Sequence, residues 1–169
     1  AKAYRTDYGR VLQMMEDCVQ LALSVAPSFV VYYDEWEQKR LPSAMRMLGF
    51  NYVSETAIGA WHTAQATLGV IKNDENASHI CTACPAVVNY VMHKTPQLAA
   101  KLVGVASPMI AHARMLKSVN PQRKVVFVGP CVAKKDEAQW ERNRPFVDAV
   151  LTFEELDELL RLKNITIKQ

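Results

Sequence analysis

The chain has 169 residues, half of them hydrophobic and 22% charged, with a formal net charge of +3. That length suits one domain with a sizeable core, and the scattered basic residues leave no footprint for nucleic acid. Every apolar run stops short of a membrane span, AKAYRTDYGR lacks the apolar core of a secretory leader, and the four cysteines point to reduced thiols in a cytoplasmic setting.

Thr6 or Asp7 can cap a first helix, in which Val11, Leu12, Met15, Cys18, Val19 and Ala22 recur at helical spacing as far as Ser24. The β-branched and aromatic VAPSFVVYY predicts a short strand. Pro42 to Leu48 is a short helix that Gly49 stops, FNYVSET a second strand, and TAIGAWHTAQATLGVI a long helix. After the polar loop KNDENAS, HICTA predicts a short strand and Pro85 opens a helix to His93. TPQLAAKLV predicts another helix, followed by the apolar GVA, and Pro108 opens a helix to Val119. NPQRK turns, VVFVG is the clearest strand, and KKDEAQWERNR predicts a charged surface helix or loop. FVDAVLTF then returns as a strand and feeds the helix FEELDELLRLK.

Strands alternating with helices predict an α/β fold, with a mainly parallel sheet of about four or five strands and helices on both faces. Ligands of such sheets bind at the carboxyl edge. Three loops there set a thiol or hydroxyl beside proline: Cys84-Pro85, Ser107-Pro108 and Pro130-Cys131. Proline at the first helical position leaves the remaining N–H groups of that turn free, which suits thiolates and anionic clusters.

The pair Cys81-x-x-Cys84 has three readings: a dithiol redox site, half of a zinc site completed by Cys131 and a histidine, or plain packing. Cys18 falls on the apolar face of the first helix and reads as core. His62, His79, His93 and His112 lack ligand spacing and read as surface or satisfied core residues. Met14, Met15, Met45 and Met47 read as core or helix surface. Lys134-Lys135 has the look of a solvated charge pair, although a cation so close to Cys131 could hold an anionic cofactor.

Taken in order, CTACPAVVNY, VASPMIAHARMLK, VVFVGPCVAKKDE and VDAVLTFEEL resemble the catalytic domain of the iron-only hydrogenases. VAPSF and LGFNYVSETAIGA extend the resemblance over nearly the whole chain. It implies that residues 1–169 form a single lobe of that family's large-subunit domain, truncated relative to the family. It implies an H-cluster, a 4Fe-4S cubane joined through cysteine to a two-iron site carrying CO and cyanide. Cys84 and Cys131 then match cubane ligands, Lys134 matches the lysine that hydrogen-bonds a cyanide, and Ser107, Pro108 and Met109 match the loop flanking the cofactor.

The departures are equally specific. Ala83 stands where active members carry the proton-shuttling cysteine, and Cys81 lies two residues earlier. Gly129 replaces a methionine, Met109 a common glutamine, and no acidic residue follows Glu55 through Leu68. These changes resemble the divergent, sensory members, whose chains add a ferredoxin-like module upstream and a PAS or other signalling domain downstream. In the family, the two remaining cluster cysteines come from a C-terminal lobe beyond the VLT-x-x-EL segment. The resemblance therefore implies hydrogen sensing or redox signalling with weak hydrogen oxidation or proton reduction in the parent protein. The isolated chain is expected to assemble no H-cluster, since a cubane takes four thiolates. The rival readings are an iron–sulfur cluster assembly or carrier protein of the hydrogenase-like family, which shares the Ser-Pro and Pro-Cys motifs, and a dithiol redox module of Cys81 and Cys84.

Overall fold

Four parallel strands form the sheet: β1 (Leu21–Val25), β2 (Tyr52–Glu55), β3 (Lys124–Val128) and β4 (Ala149–Leu151), in the order β2-β1-β3-β4. The structure is a computed structural model in which residues 4–17, 20–74 and 77–167 are described. Val25 sits in register with Glu55 on one side and Val128 on the other, so these strands finish together at one carboxyl edge. The chain leaves β1 for β2 on one flank and later returns to β3 on the other. That makes the gap between β1 and β3 the topological switch point, where open α/β sheets hold their ligands.

Eight α-helices and one 3-10 helix surround the sheet among the described residues. Leu21, Leu23, Val25, Val126, Val128 and Leu151 pack against α1 (Tyr8–Glu16), α3 (Glu35–Leu48) and α8 (Phe153–Leu162). The alternate residues Ala22, Val125, Phe127 and Val150 face α6 (Pro108–Val119) and α7 (Ala133–Gln139). The α/β class, the parallel sheet and the helices on both faces thus agree with the sequence. Outside α6 lies α4 (Ala57–Asn73), which buries only Gly59 and Thr63. A Cβ at Gly59 would sit 2.2 Å from the Pro108 carbonyl, so glycine is what lets α4 approach the start of α6. No described helix is long and apolar enough to cross a membrane.

Several expected elements differ. The first helix ends at Glu16, and residues 21–25 form the central strand rather than a helical continuation. All five residues of β1 are buried, because helices cover both faces, and a doubly covered strand shows no alternation to separate it from a helix. Cys18 and Val19 lie outside the described residues. VAPSFVVYY is a strand only in its first residue. After Pro27 it makes the single helical turn α2 (Phe29–Tyr32), where Val31 is 87% exposed. α3 starts at Glu35, where Asp34 and Glu37 form a capping box, and Pro42 lies inside it rather than at its start. Gly49, at φ 116°, ends it as expected. HICTA is reduced to one bridge between Ile80 and Leu102, and TPQLAAKLV is the 3-10 helix Pro96–Lys101.

The segment expected on the surface, KKDEAQWERNR, contributes one buried ion pair, Lys135–Glu155, and one partly buried pair, Lys134–Glu137. Lys135 donates to Glu155 at 2.7 Å and to the carbonyl of Val150. Asp7 accepts from the Val150 N–H at 3.2 Å, and its own N–H donates to Glu155 at 2.8 Å. The N–H and carbonyl of Val150 that β3 does not use are therefore taken by two charged side chains. The β4 edge is closed, and the Lys134-Lys135 pair is not solvated.

Candidate functional site at the carboxyl edge

Immediately after β3, Gly129, Pro130 and Cys131 turn the chain toward α7, and the Lys134 N–H bonds the Cys131 carbonyl at 3.1 Å. The turn delivers the Lys134 side chain across the edge. Its ammonium donates to the carbonyl of Ala83 at 2.9 Å and to Glu137 at 2.6 Å. Glu137 is buried at 3% exposure and Lys134 is partly buried at 12%. Ala83 directly precedes Cys84, the N-cap of α5 (Pro85–Lys94), where Pro85 takes the first helical position. A single lysine thus ties the Cys84 loop to the Cys131 loop, although 47 positions separate them in sequence (131 − 84). A second tie runs between the same helices, from Asn89 to Asp136 at 3.1 Å.

The Ser107 loop joins through Thr82, whose hydroxyl donates to the Val105 carbonyl at 2.7 Å. Ser107 is buried and caps α6, accepting from the Ile110 N–H at 3.4 Å. Pro108 begins that helix, and Met109 is 1% exposed within the core shared with β3. Of the residues singled out in the sequence, Ala83, Cys84, Cys131 and Lys134 are brought together. Ser107 and Pro108 stand on the neighbouring loop, and Met109 belongs to the packing beneath.

Cys81 and Cys84 are exposed free thiols, and Cys131 is half-buried. Thiolates are the ligands that iron–sulfur clusters take, so this donor chemistry suits such a group. Among the described residues no cluster of three or more His, Cys, Asp or Glu side chains is gathered to hold a metal. The two thiols here would be part of a ligand set and not the whole of it.

Beneath the loops, His112 of α6 is 2% exposed, with both ring nitrogens occupied. Nδ1 lies 2.7 Å from the Ser24 hydroxyl and Nε2 lies 3.1 Å from that of Ser54, while Ser24 also meets Thr56 at 2.7 Å. Burial lowers the His112 pKa from its ordinary value. It is the satisfied core histidine the sequence suggested, pinning α6 to the ends of β1 and β2.

Glu137 is the member of the cluster that sequence reasoning missed. Its signal was the three-residue spacing from Lys134, which on a helix sets the two side chains on one face. Gly129 has a local reason as well. A Cβ there would lie 2.8 Å from the Phe127 ring and 3.0 Å from the Ala26 methyl, so the loops after β1 and β3 meet without a side chain between them.

Comparison with known proteins gives the chain's family. The family described as "Iron only hydrogenase large subunit, C-terminal domain" matches residues 19–169. Relatives include the cytosolic Fe-S cluster assembly factor NAR1 of Vanderwaltozyma polyspora, 33% identical over 88 residues, or 52% of this chain and 17% of that protein. The NAR1 of Kluyveromyces lactis is 32% identical over 89 residues, 53% of this chain and 19% of its own length. That of Eremothecium gossypii is 28% identical over 145 residues, 83% of this chain and 32% of its own length. The chain thus spans less than a third of each of these relatives. With its parallel sheet, its linked Cys84 and Cys131 loops and a family match covering most of its length, the chain belongs to the iron-only hydrogenase large subunit, C-terminal domain family.

Proposed function

We propose that this domain supplies Cys84 and Cys131 as thiolate ligands, and Lys134 as a hydrogen-bond donor, to an iron–sulfur cofactor of the H-cluster type. The remaining ligands come from a C-terminal lobe of the parent protein. The observation that carries the reading is the Lys134 ammonium on the Ala83 carbonyl, which joins both cysteine loops through one partly buried cation. Ammonium–anion contacts are strongest where water is excluded. Two of the three ammonium protons are spent on Ala83 and Glu137, which leaves one for a bound anion. When bound, such a cofactor supplies the redox chemistry of hydrogen. The protein's part is to hold it, orient it and deliver protons.

Proton delivery is where this chain differs. Ala83 has no exchangeable proton, and α4 carries no carboxylate from Ala57 to Leu68. Retained binding groups beside a missing proton relay suit a hydrogen-responsive sensor that turns over slowly, placed between an upstream ferredoxin-like module and a downstream PAS or other signalling domain. A second reading, cluster assembly, draws support from the relatives named as Fe-S cluster assembly factors.

The test uses the longer protein that carries this domain, matured anaerobically. Cys84→Ala and Cys131→Ala are each expected to lose iron and sulfide together, and a full complement in either would sink the ligand assignment. Ala83→Cys is expected to raise hydrogen turnover, by as much as about 10²–10⁴. Wild-type turnover as fast as a dedicated hydrogenase would end the sensory reading. Stoichiometric transfer of the cluster to an apo-acceptor, with no response to hydrogen, would favour assembly.

A further inference from the structure

A groove of about 620 Å³ runs between α5, the Leu102–Gly104 segment and the chain after α7. That volume is in the range of small-molecule sites. Its apolar wall is Val88, Met92, Leu102 and Trp140. Thr82, Gly104, Trp140 and Arg142 also line a more enclosed chamber of about 140 Å³, so groove and chamber form one cleft. The chamber is polar. Its wall includes Arg114, Arg142, Ser107, Asn143 and Glu137.

Charge decides what that chamber accepts. Arg114 lies over the Phe146 ring at 4.9 Å and Arg142 over the Trp140 ring at 5.2 Å. Neither has a carboxylate partner among the described residues. A guanidinium stacked on an aromatic face keeps its edge N–H groups free, and those groups match a carboxylate. The chamber's one carboxylate, Glu137, is already neutralised by Lys134 at 2.6 Å. Glu141 and His93 stand in the outer groove and not in the chamber. The chamber is therefore net cationic, and the groove beside it has an apolar wall of Val88, Met92, Leu102 and Trp140 with polar groups at its margin.

We infer that this cleft binds a monocarboxylate with an apolar body, its head between Arg114 and Arg142 and its tail along Val88, Met92 and Trp140. The site is separate from the thiols and stands whether or not the cofactor reading holds. It is also placed to be felt at the thiol loops, because Thr82 precedes Cys84 by two residues and Glu137 holds Lys134.

Octanoate is the probe, titrated calorimetrically into the chain, with octanol supplying the tail without the charge and acetate the charge without the tail. Octanoate is expected to saturate one site, binding at least about tenfold more tightly than either comparator, the equivalent of about 1.4 kcal/mol. The double variant Arg114→Gln/Arg142→Gln is expected to lose at least that factor while keeping its thermal transition. Should that variant fail to fold, Met92→Glu replaces it, at a side chain 52% exposed, and is expected to weaken octanoate through lost apolar contact and like charge. Equal binding of octanol, unchanged binding by the folded variants, or no saturation by about 10 mM overturns the inference.

Discussion

The closed edge of β4 and the thiol loops use adjacent lysines for opposite ends. Lys135 points into the sheet edge, where Glu155, Asp7 and both polar groups of Val150 complete one another. Lys134 points the other way, into a gap between loops that carry free thiols. Along the sheet edge every charge is consumed by the fold, so its worth is stability. At the thiol loops Lys134 keeps one ammonium proton beyond those given to Ala83 and Glu137, which is the donor the proposed cofactor would take up.

The sharpest way to break this contrast is Lys135→Ala. It leaves Glu155 buried without its cation and should cost about 3–5 kcal/mol, read from urea unfolding. A loss below about 1 kcal/mol would mean that the edge network is ornamental. A smaller effect lies under the loops, at His112. Burial keeps its ring neutral below the ordinary pKa, so as pH falls through about 6.5 the unfolded chain takes up a proton that the folded chain still refuses. Stability should therefore drop with falling pH in that window, by up to about 1.4 kcal/mol per unit. His112→Gln should flatten the slope, and an unchanged slope would assign it to other groups. Smallest of all should be Cys84→Ala. The thiol is exposed and outside both cores, so unfolding free energy should stay within about 0.5 kcal/mol of wild type. A larger loss would give Cys84 a packing role and erase the distinction between the two regions.

Much of this could be seen in the sequence where local chemistry speaks. Pro85 and Pro108 announced their helices, VVFVG announced β3, and the Cys-Pro, Ser-Pro and Pro-Cys pairs marked the loops that gather. What escaped was whatever depends on neighbours. β1 looked helical because burial on both faces removes the alternation that identifies a strand. Lys134 and Lys135 looked solvated because Ala83 and Glu155 lie on distant segments, and only the topology brings those partners to them. The Thr82–Val105 bond likewise depends on how the loops pass one another, with no signal in either segment alone.

Gly129 carries a consequence for the order in which substitutions here could be made. A methionine at 129 would be forced against the Phe127 ring and the Ala26 methyl, and Phe127 is 4% exposed within the core under α6. Placing that side chain there in one step therefore collides with a ring that has little room to retreat. The open route runs first through a smaller residue at 127 and only then through 129. The change at 129 is conditional on the one at 127, and the glycine is kept in place by its neighbour as much as by anything it does itself.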